Sequence, residues 1–125
     1  MANEGVGGSG EGNCSLPKEV ADGLRDAGGR EGLLSKVPDK DSIKDQADRH
    51  QALSDPVRLQ IVHLLGVSEL CPCVLKELTG LTDSKLSYHL SILEKAKLTV
   101  WRQNKNWRVY SLTEQGRSYL DGRSI

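Results

Sequence analysis

No run in this 125-residue chain approaches the ~20 consecutive apolar residues that a membrane-spanning helix needs, so a membrane role is not expected. The N-terminus also lacks the basic-then-apolar layout of a secretory signal, and a cytoplasmic protein is the expectation. Cysteine is scarce and odd in number, with three in all, and two of them flank a single proline. A disulfide framework wants an even, spread set, so these thiols are expected to be free, ligating or redox-active. Missing too is any nucleophile–base–orienter set or phosphate-cradling loop, so neither catalysis nor an organic cofactor is expected. Net charge is absent as well, since 17 basic and 17 acidic side chains cancel.

That zero is an average over unlike regions. From Met1 to Arg49 there are seven basic and ten acidic residues, a charge of −3. From Leu81 to Arg117, seven basic residues face three acidic ones, a charge of +4. A basic C-terminal half on a neutral chain points mildly to a polyanion partner.

Nine of the 13 glycines fall between Gly5 and Gly32, where apolar residues are thin. Such a stretch buries too little surface to offset its ordering entropy, so residues 1–36 are expected to be a flexible arm carrying Cys14. Leu16, Val20 and Leu24 lie at i, i+4 and i+8, which allows a short amphipathic helix where a partner surface receives it.

Residues 37–125 have the pattern of a folded domain. Asp39 to Leu53 reads as a polar helix with Ile43, Ala47, His50 and Leu53 on one stripe. Ser54-Asp55-Pro56 is a helix-start signal, and Val57, Ile61, Leu64 and Leu65 follow at helical spacing up to Gly66, read as a stop. A short helix over about 72–79 and a turn at Gly80-Leu81 lead to Thr82, a cap for a helix over 83–95 with Leu86, Leu90 and Leu93 inward. Two such helices around a glycine turn make a helix-turn-helix. Two β-type runs, 98–103 and 107–112, flank Asn104-Lys105-Asn106 as a hairpin, and Thr113 caps a last helix. The expected fold is mainly α with a β-hairpin wing, a winged helix-turn-helix.

On the 83–95 helix the outward residues are Ser84, Lys85, Ser87, Tyr88 and Ser91, a short-armed face rich in donors. It can approach phosphates and offer hydroxyls and an ammonium to base edges in a major groove. Lys105 at the hairpin tip, with Arg102 and Arg108 beside it, would add salt-sensitive, sequence-independent affinity. An ordinary solvated helix face is the bland alternative, which the helix-turn-helix context disfavours. Trp101 and Trp107 read as cross-strand packing. His89 sits at the edge of the core face, in a buried or phosphate-touching role, and His50 and His63 have no partner at metal-ligand spacing.

Cys71-Pro72-Cys73 stands at the mouth of the short helix. Proline suits the first helical position and makes Cys71 a cap residue. The helix dipole there favours anions, so both thiols are expected to ionise more readily, and soft thiolates select soft ions. Residues i and i+2 of a continuous helix point roughly 200° apart, so a grip by both sulfurs is expected to need a non-helical or distorted first turn. That conflict would couple ion binding to the helix bracing the reading helix. Cys14 is the remaining thiol and a candidate third ligand. Three sulfurs suit trivalent arsenic or antimony, or a large soft ion such as lead, whereas zinc wants a fourth ligand. Inert packing thiols, and an incidental Cys14, are the plain alternatives.

These residues resemble a known family. Ala52 to Ile61 (Ala-Leu-Ser-Asp-Pro-Val-Arg-Leu-Gln-Ile) is similar to the opening signature of the ArsR/SmtB metal-sensing repressors. Glu69-Leu70-Cys71-Pro72-Cys73 resembles the thiolate box of that family's arsenite, antimonite, cadmium and lead sensors. Ser87-Tyr88-His89-Leu90 with Leu93 to Leu98 resembles its reading helix, and Trp107 to Thr113 its second wing strand. The likeness spans about residues 40–120 and implies a homodimer that represses a detoxification operon from two-fold operator DNA until an ion binds. Pro72 and Val74 depart from the usual box. One arm cysteine instead of two argues against a cadmium site, and the last helix lacks the histidines of a zinc site. Arsenite or antimonite is the expected effector. A thiol redox switch on the same cysteines, or a winged-helix protein-interaction module, are the competing readings.

Overall fold

The computed structural model describes residues 15–122 of the chain. Cys14, the candidate third thiolate, lies outside them. The chain divides into two compact units, one ending at Asp39 and the other beginning at Lys40.

The described part of the first unit holds two short helices, α1 (Lys18–Asp26) and α2 (Gly29–Ser35). Helix α1 contains Val20 and Leu24 of the expected stripe. The turn between the helices uses Gly28 and Gly29 at φ of 99° and 78°, where a side chain would be strained. No residue of either helix is buried, in keeping with so little apolar sequence.

The second unit runs α3 (Lys40–Ala52), α4 (Pro56–Val67), α5 (Pro72–Thr79), α6 (Asp83–Lys95), β1 (Thr99–Asn104), β2 (Trp107–Leu112) and α7 (Glu114–Asp121). Strands β1 and β2 form an antiparallel hairpin that pairs Thr99 with Leu112 and Asn104 with Trp107. This is the winged helix-turn-helix expected from the sequence.

Each expected cap is made by the named residue. The Asp55 carboxylate accepts from the amides of Val57 and Arg58, at 2.8 and 3.2 Å. Thr82 accepts from the Lys85 amide at 3.2 Å, and Thr113 from that of Gly116 at 3.1 Å. These side chains satisfy helix-start donors that have no intrahelical partner. Helix α6 ends by Lys97 turning left-handed at φ 65°, so that Lys97 N–H reaches Glu94 O and Leu98 N–H reaches Leu93 O. That paired closure usually places glycine at the left-handed residue.

The core gathers Ile61, Val62 and Leu65 of α4, Leu75 of α5, Leu86, Leu90 and Leu93 of α6, and Leu98, Tyr110 and Leu112 from the wing. Each fully buried aliphatic side chain contributes about 1.5–3 kcal/mol of transfer free energy. Helix α4 packs against α5, α6, α7 and β2, which is why Val62, off the expected stripe, is fully buried. Val57 and Leu64 sit at the rim instead.

Gly66 is not the stop that the sequence suggested, since α4 continues to Val67. A Cβ at Gly66 would lie 2.4 Å from Leu120 Cδ1, so its small size serves the approach of α7. Of the stripe expected on α3, only part is buried. Leu53, just beyond its end, is buried, while Ile43, Ala47 and His50 are exposed.

Candidate nucleic-acid interface and thiol site

Helix α6 buries Leu86, Leu90 and Leu93 and thereby turns its other face outward. Ser84, Lys85, Ser87 and Tyr88 are exposed there, Tyr88 at 61%, and Ser91 is half-buried. The one acid of its first turn, Asp83, is paired with Lys76 of α5 at 3.1 Å, which moderates its repulsion of phosphate. Leu75 anchors α5 in the core beneath this helix pair.

Arg58 joins three elements in a way the sequence did not reveal. Its Nε donates to Ala52 O at the end of α3 over 2.6 Å, and its Nη1 lies 3.1 Å from Nδ1 of His89 on α6. Asp55 completes the cluster at 4.0 Å. Burial would raise the Asp55 pKa, but the amides of Arg58 and Val57 and the Arg58 and His89 charges hold it below the ordinary carboxylate value. His89 is thus half-buried and oriented by an arginine, one of the two roles expected for it.

In the wing, the three basic residues are held differently. Lys105 occupies the turn at φ 56°, exposed, with its carbonyl accepting from Gln103 Nε2 at 2.8 Å. A non-glycine residue there costs backbone energy, so the hairpin carries its tip cation under strain. Arg108 lies over the Trp101 ring, 4.3 Å from its centroid, and Trp101 packs across the hairpin against Tyr110. Arg102, expected to reach phosphate, makes a two-pronged pair with Glu69, at 3.0 and 3.1 Å. Those hydrogen bonds lower the Glu69 pKa and raise that of Arg102.

Glu69 begins a strap, residues 69–71, that leads from α4 to α5 and is hydrogen-bonded to the wing. Leu70 exchanges both backbone hydrogen bonds with Tyr110 of β2, at 3.1 and 2.8 Å. The strap delivers Cys71 as the cap of α5 in extended conformation, φ −92° and ψ 161°, with Pro72 opening the helix.

The Sγ atoms of Cys71 and Cys73 are 3.1 Å apart. Of the two expected ways for both sulfurs to meet, a non-helical or a distorted first turn, the geometry is the first. Cys71 stands outside the helical path, so its side chain swings toward Cys73 while α5 stays regular. The expected ionisation needs correction. The hydrogen bond from Cys73, and then the Val74 amide, lower the Cys71 pKa, whereas the same bond, desolvation and the Cys71 charge raise that of Cys73. Two thiols this close share a proton and titrate as a pair.

A sulfur–metal bond of ~2.3 Å sets two ligating sulfurs roughly 3.5–3.8 Å apart, so this pair would open by about half an ångström to hold a soft ion. The donors suit such an ion, as far as they go. Among the described residues no group of three or more His, Cys, Asp or Glu side chains could hold one. Beside Cys71 lies an open groove of about 470 Å³, walled by Leu70, Trp107 and Val109 and bounded by Asn104 and Lys105 at the wing tip. Trp107 is 56% exposed there, so it lines this groove more than it packs across the hairpin.

Of the residues singled out in the sequence, the structure brings together the α6 face and, separately, Cys71 with Cys73. Arg58 and Glu69 were missed as organising residues. Both lie inside the family-like motifs, but their partners, His89 and Arg102, are 31 and 33 residues away. Among the described residues, no helix is long and apolar enough to cross a membrane.

Comparison with known proteins agrees with this geometry. The model of the arsR family of bacterial regulatory proteins matches residues 55–98. An arsenical resistance operon repressor of Staphylococcus xylosus is 35% identical over 80 residues, 64% of this chain and 77% of its own length. The transcriptional repressor BigR of Xylella fastidiosa superposes with a TM-score of 0.59 at 26% identity, over 66% of this chain and 83% of that one. A homodimeric winged helix-turn-helix DNA-binding domain of Mycobacterium bovis, at 22% identity, gives a TM-score of 0.61 over 70% and 82% of the two chains. At that identity the likeness shows the fold alone.

Proposed function

The chain belongs to the arsR family of bacterial regulatory proteins, and on that footing we propose that it is a homodimeric repressor that a thiophilic ion releases from its operator. Trivalent arsenic or antimony is the favoured effector, with lead and cadmium as alternatives. Cys71 and Cys73 hold the ion, and Cys14 supplies a third thiolate. Ser84, Lys85, Ser87, Tyr88 and Ser91 of α6 read the major groove, and Lys105 meets flanking phosphate. A two-fold dimer would read half-sites about one helical turn apart. The exposed apolar side chain of Ile43 on α3 is consistent with pairing through that helix.

The observation carrying this reading is the 3.1 Å approach of two sulfurs at the start of the helix that braces α6. The strap offers a second route for the signal. Opening the sulfurs displaces residues 69–71, which are bonded to β2 through Leu70 and to β1 through the Glu69–Arg102 pair. Arg102 then serves by fixing the wing, with Lys105 as the phosphate contact. Both halves of the DNA-binding surface are in this way mechanically joined to one thiol pair.

The test is to titrate the reduced protein with arsenite, antimonite, cadmium and lead while following sulfur charge-transfer absorbance and operator release. Release should track absorbance, most strongly for arsenite or antimonite. A protein equally tight on its operator with every ion bound would remove the proposal. A second reading, a redox switch on the same cysteines, is favoured by the 3.1 Å approach of the two sulfurs. Oxidant-driven release without any ion would support it.

A further inference from the structure

We propose that Arg58 and His89 are positioning residues for Tyr88, so that the sequence preference of the α6 face depends on two side chains that do not themselves touch DNA. The inference rests on the reading of α6 given above and adds what holds its aromatic ring in place.

Tyr88 needs such support. It is 61% exposed, so core packing does not fix its side chain. Beside it a cleft of about 320 Å³ opens between α3 and α6, lined also by Gln51, Arg58 and Ile92, with room for the ring to turn off the outer face. Against that freedom stands one ring contact, with His89, edge-on at 65° with the centroids 5.2 Å apart. Aromatic pairs prefer this arrangement, so an oriented imidazole favours one orientation of the phenol.

His89 is itself held. The Arg58 side chain is only 12% exposed, and its Nη1 lies 3.1 Å from Nδ1 of His89. A guanidinium only donates, so in the neutral imidazole Nδ1 is the acceptor and the ring hydrogen sits on Nε2. Arg58 is fixed in turn, because its Nε donates to Ala52 O at 2.6 Å and Asp55 stands 4.0 Å from its Nη1. A chain of contacts thus runs from the end of α3 through a buried arginine and a half-buried histidine to the exposed ring. A tyrosine already held in one orientation loses less freedom on meeting its base edge, and it accepts fewer alternative edges. Phosphate contacts elsewhere need no such ordering, so the chain bears on sequence preference more than on overall affinity.

The experiment uses the full-length reduced protein and two duplexes, one selected by the native protein from a random-sequence library and the other its scrambled counterpart. Competition binding over a range of salt gives each variant a selected-over-scrambled affinity ratio and a salt slope. His89→Ala should lower the ratio by about threefold to tenfold, the worth of ordering one side chain, and leave the salt slope unchanged. Added to Tyr88→Ala, it should have no further effect. His89→Asn offers Arg58 an amide oxygen in place of Nδ1 but has no ring. It should lower the ratio as His89→Ala does, and it guards against a folding defect in that variant. Arg58→Lys gives up the fork that spans Ala52 O and His89, so it should lower the ratio as well, again only while Tyr88 is present. A further loss in the double variant, a shallower salt slope in His89→Ala, or a native ratio in His89→Asn would overturn the relay. Any of these, with Tyr88→Ala still lowering the ratio, sinks this inference alone. If Tyr88→Ala leaves the ratio unchanged, or the native protein selects no duplex, the reading of α6 fails with it.

Discussion

Asp55 is a single side chain with two duties. It caps α4 through two backbone amides and faces Arg58, which itself holds the end of α3 and His89 of α6. Its pKa in the fold lies below that of the unfolded chain. A depressed carboxylate stabilises above its unfolded pKa of ~3.9, and that stabilisation is lost as pH falls through the folded value. Asp55→Ala is therefore expected to cost about 1 kcal/mol in urea unfolding at neutral pH, with the gap to the native protein closing in acid below about pH 4. A gap that persists unchanged in acid would show that the carboxylate charge is not what matters. The cap was legible in Ser54-Asp55-Pro56, because capping is a local rule. Its tie to His89 was not, because nothing in the sequence couples residues that meet only after two helices cross.

Two glycines show how elements meet. In α7, a Cβ on Gly116 would fall 2.4 Å from the carbonyl oxygen of Leu98, a backbone atom fixed between α6 and β1. On α4, a Cβ on Gly66 would meet the end of the Leu120 side chain, which can rotate away. Gly116→Ala should thus destabilise by about 1–3 kcal/mol in thermal or denaturant unfolding, and Gly66→Ala by clearly less. Equal losses would mean that α7 shifts as a body. Helix positions were readable from apolar spacing and from Asp55, Thr82 and Thr113, since those signals act within one turn. The meaning of Gly66 was misread for the opposite reason. A glycine near a helix end looks like a terminator until the helix that packs on it is seen.

At the scale of the whole molecule, the proposed DNA-binding surface has two parts with different chemistry. The α6 face presents hydroxyls, an amine and the exposed ring of Tyr88, and the wing presents Lys105 at a strained turn. Lys105→Ala should weaken binding to all duplexes alike and reduce the salt slope by about one phosphate contact, whereas Tyr88→Ala should alter sequence preference. Measured by competition over a range of salt, the reverse pattern would exchange the two roles. The strap of residues 69–71 ties the thiol pair to the wing, and α5, which the pair opens, packs against α6.

By itself the sequence determined the helix-turn-helix, the hairpin, the caps, the apolar faces and the candidate thiols. Each follows from residue type and spacing within a few neighbours. Only the tertiary structure decided that Cys71 turns toward Cys73 without bending α5, that Arg102 answers to Glu69, and that Trp107 and Cys71 share one groove. Those relations depend on where the wing returns to meet α5, and that position is set by the core of Leu75, Leu98, Tyr110 and Leu112, contributed by segments far apart along the chain.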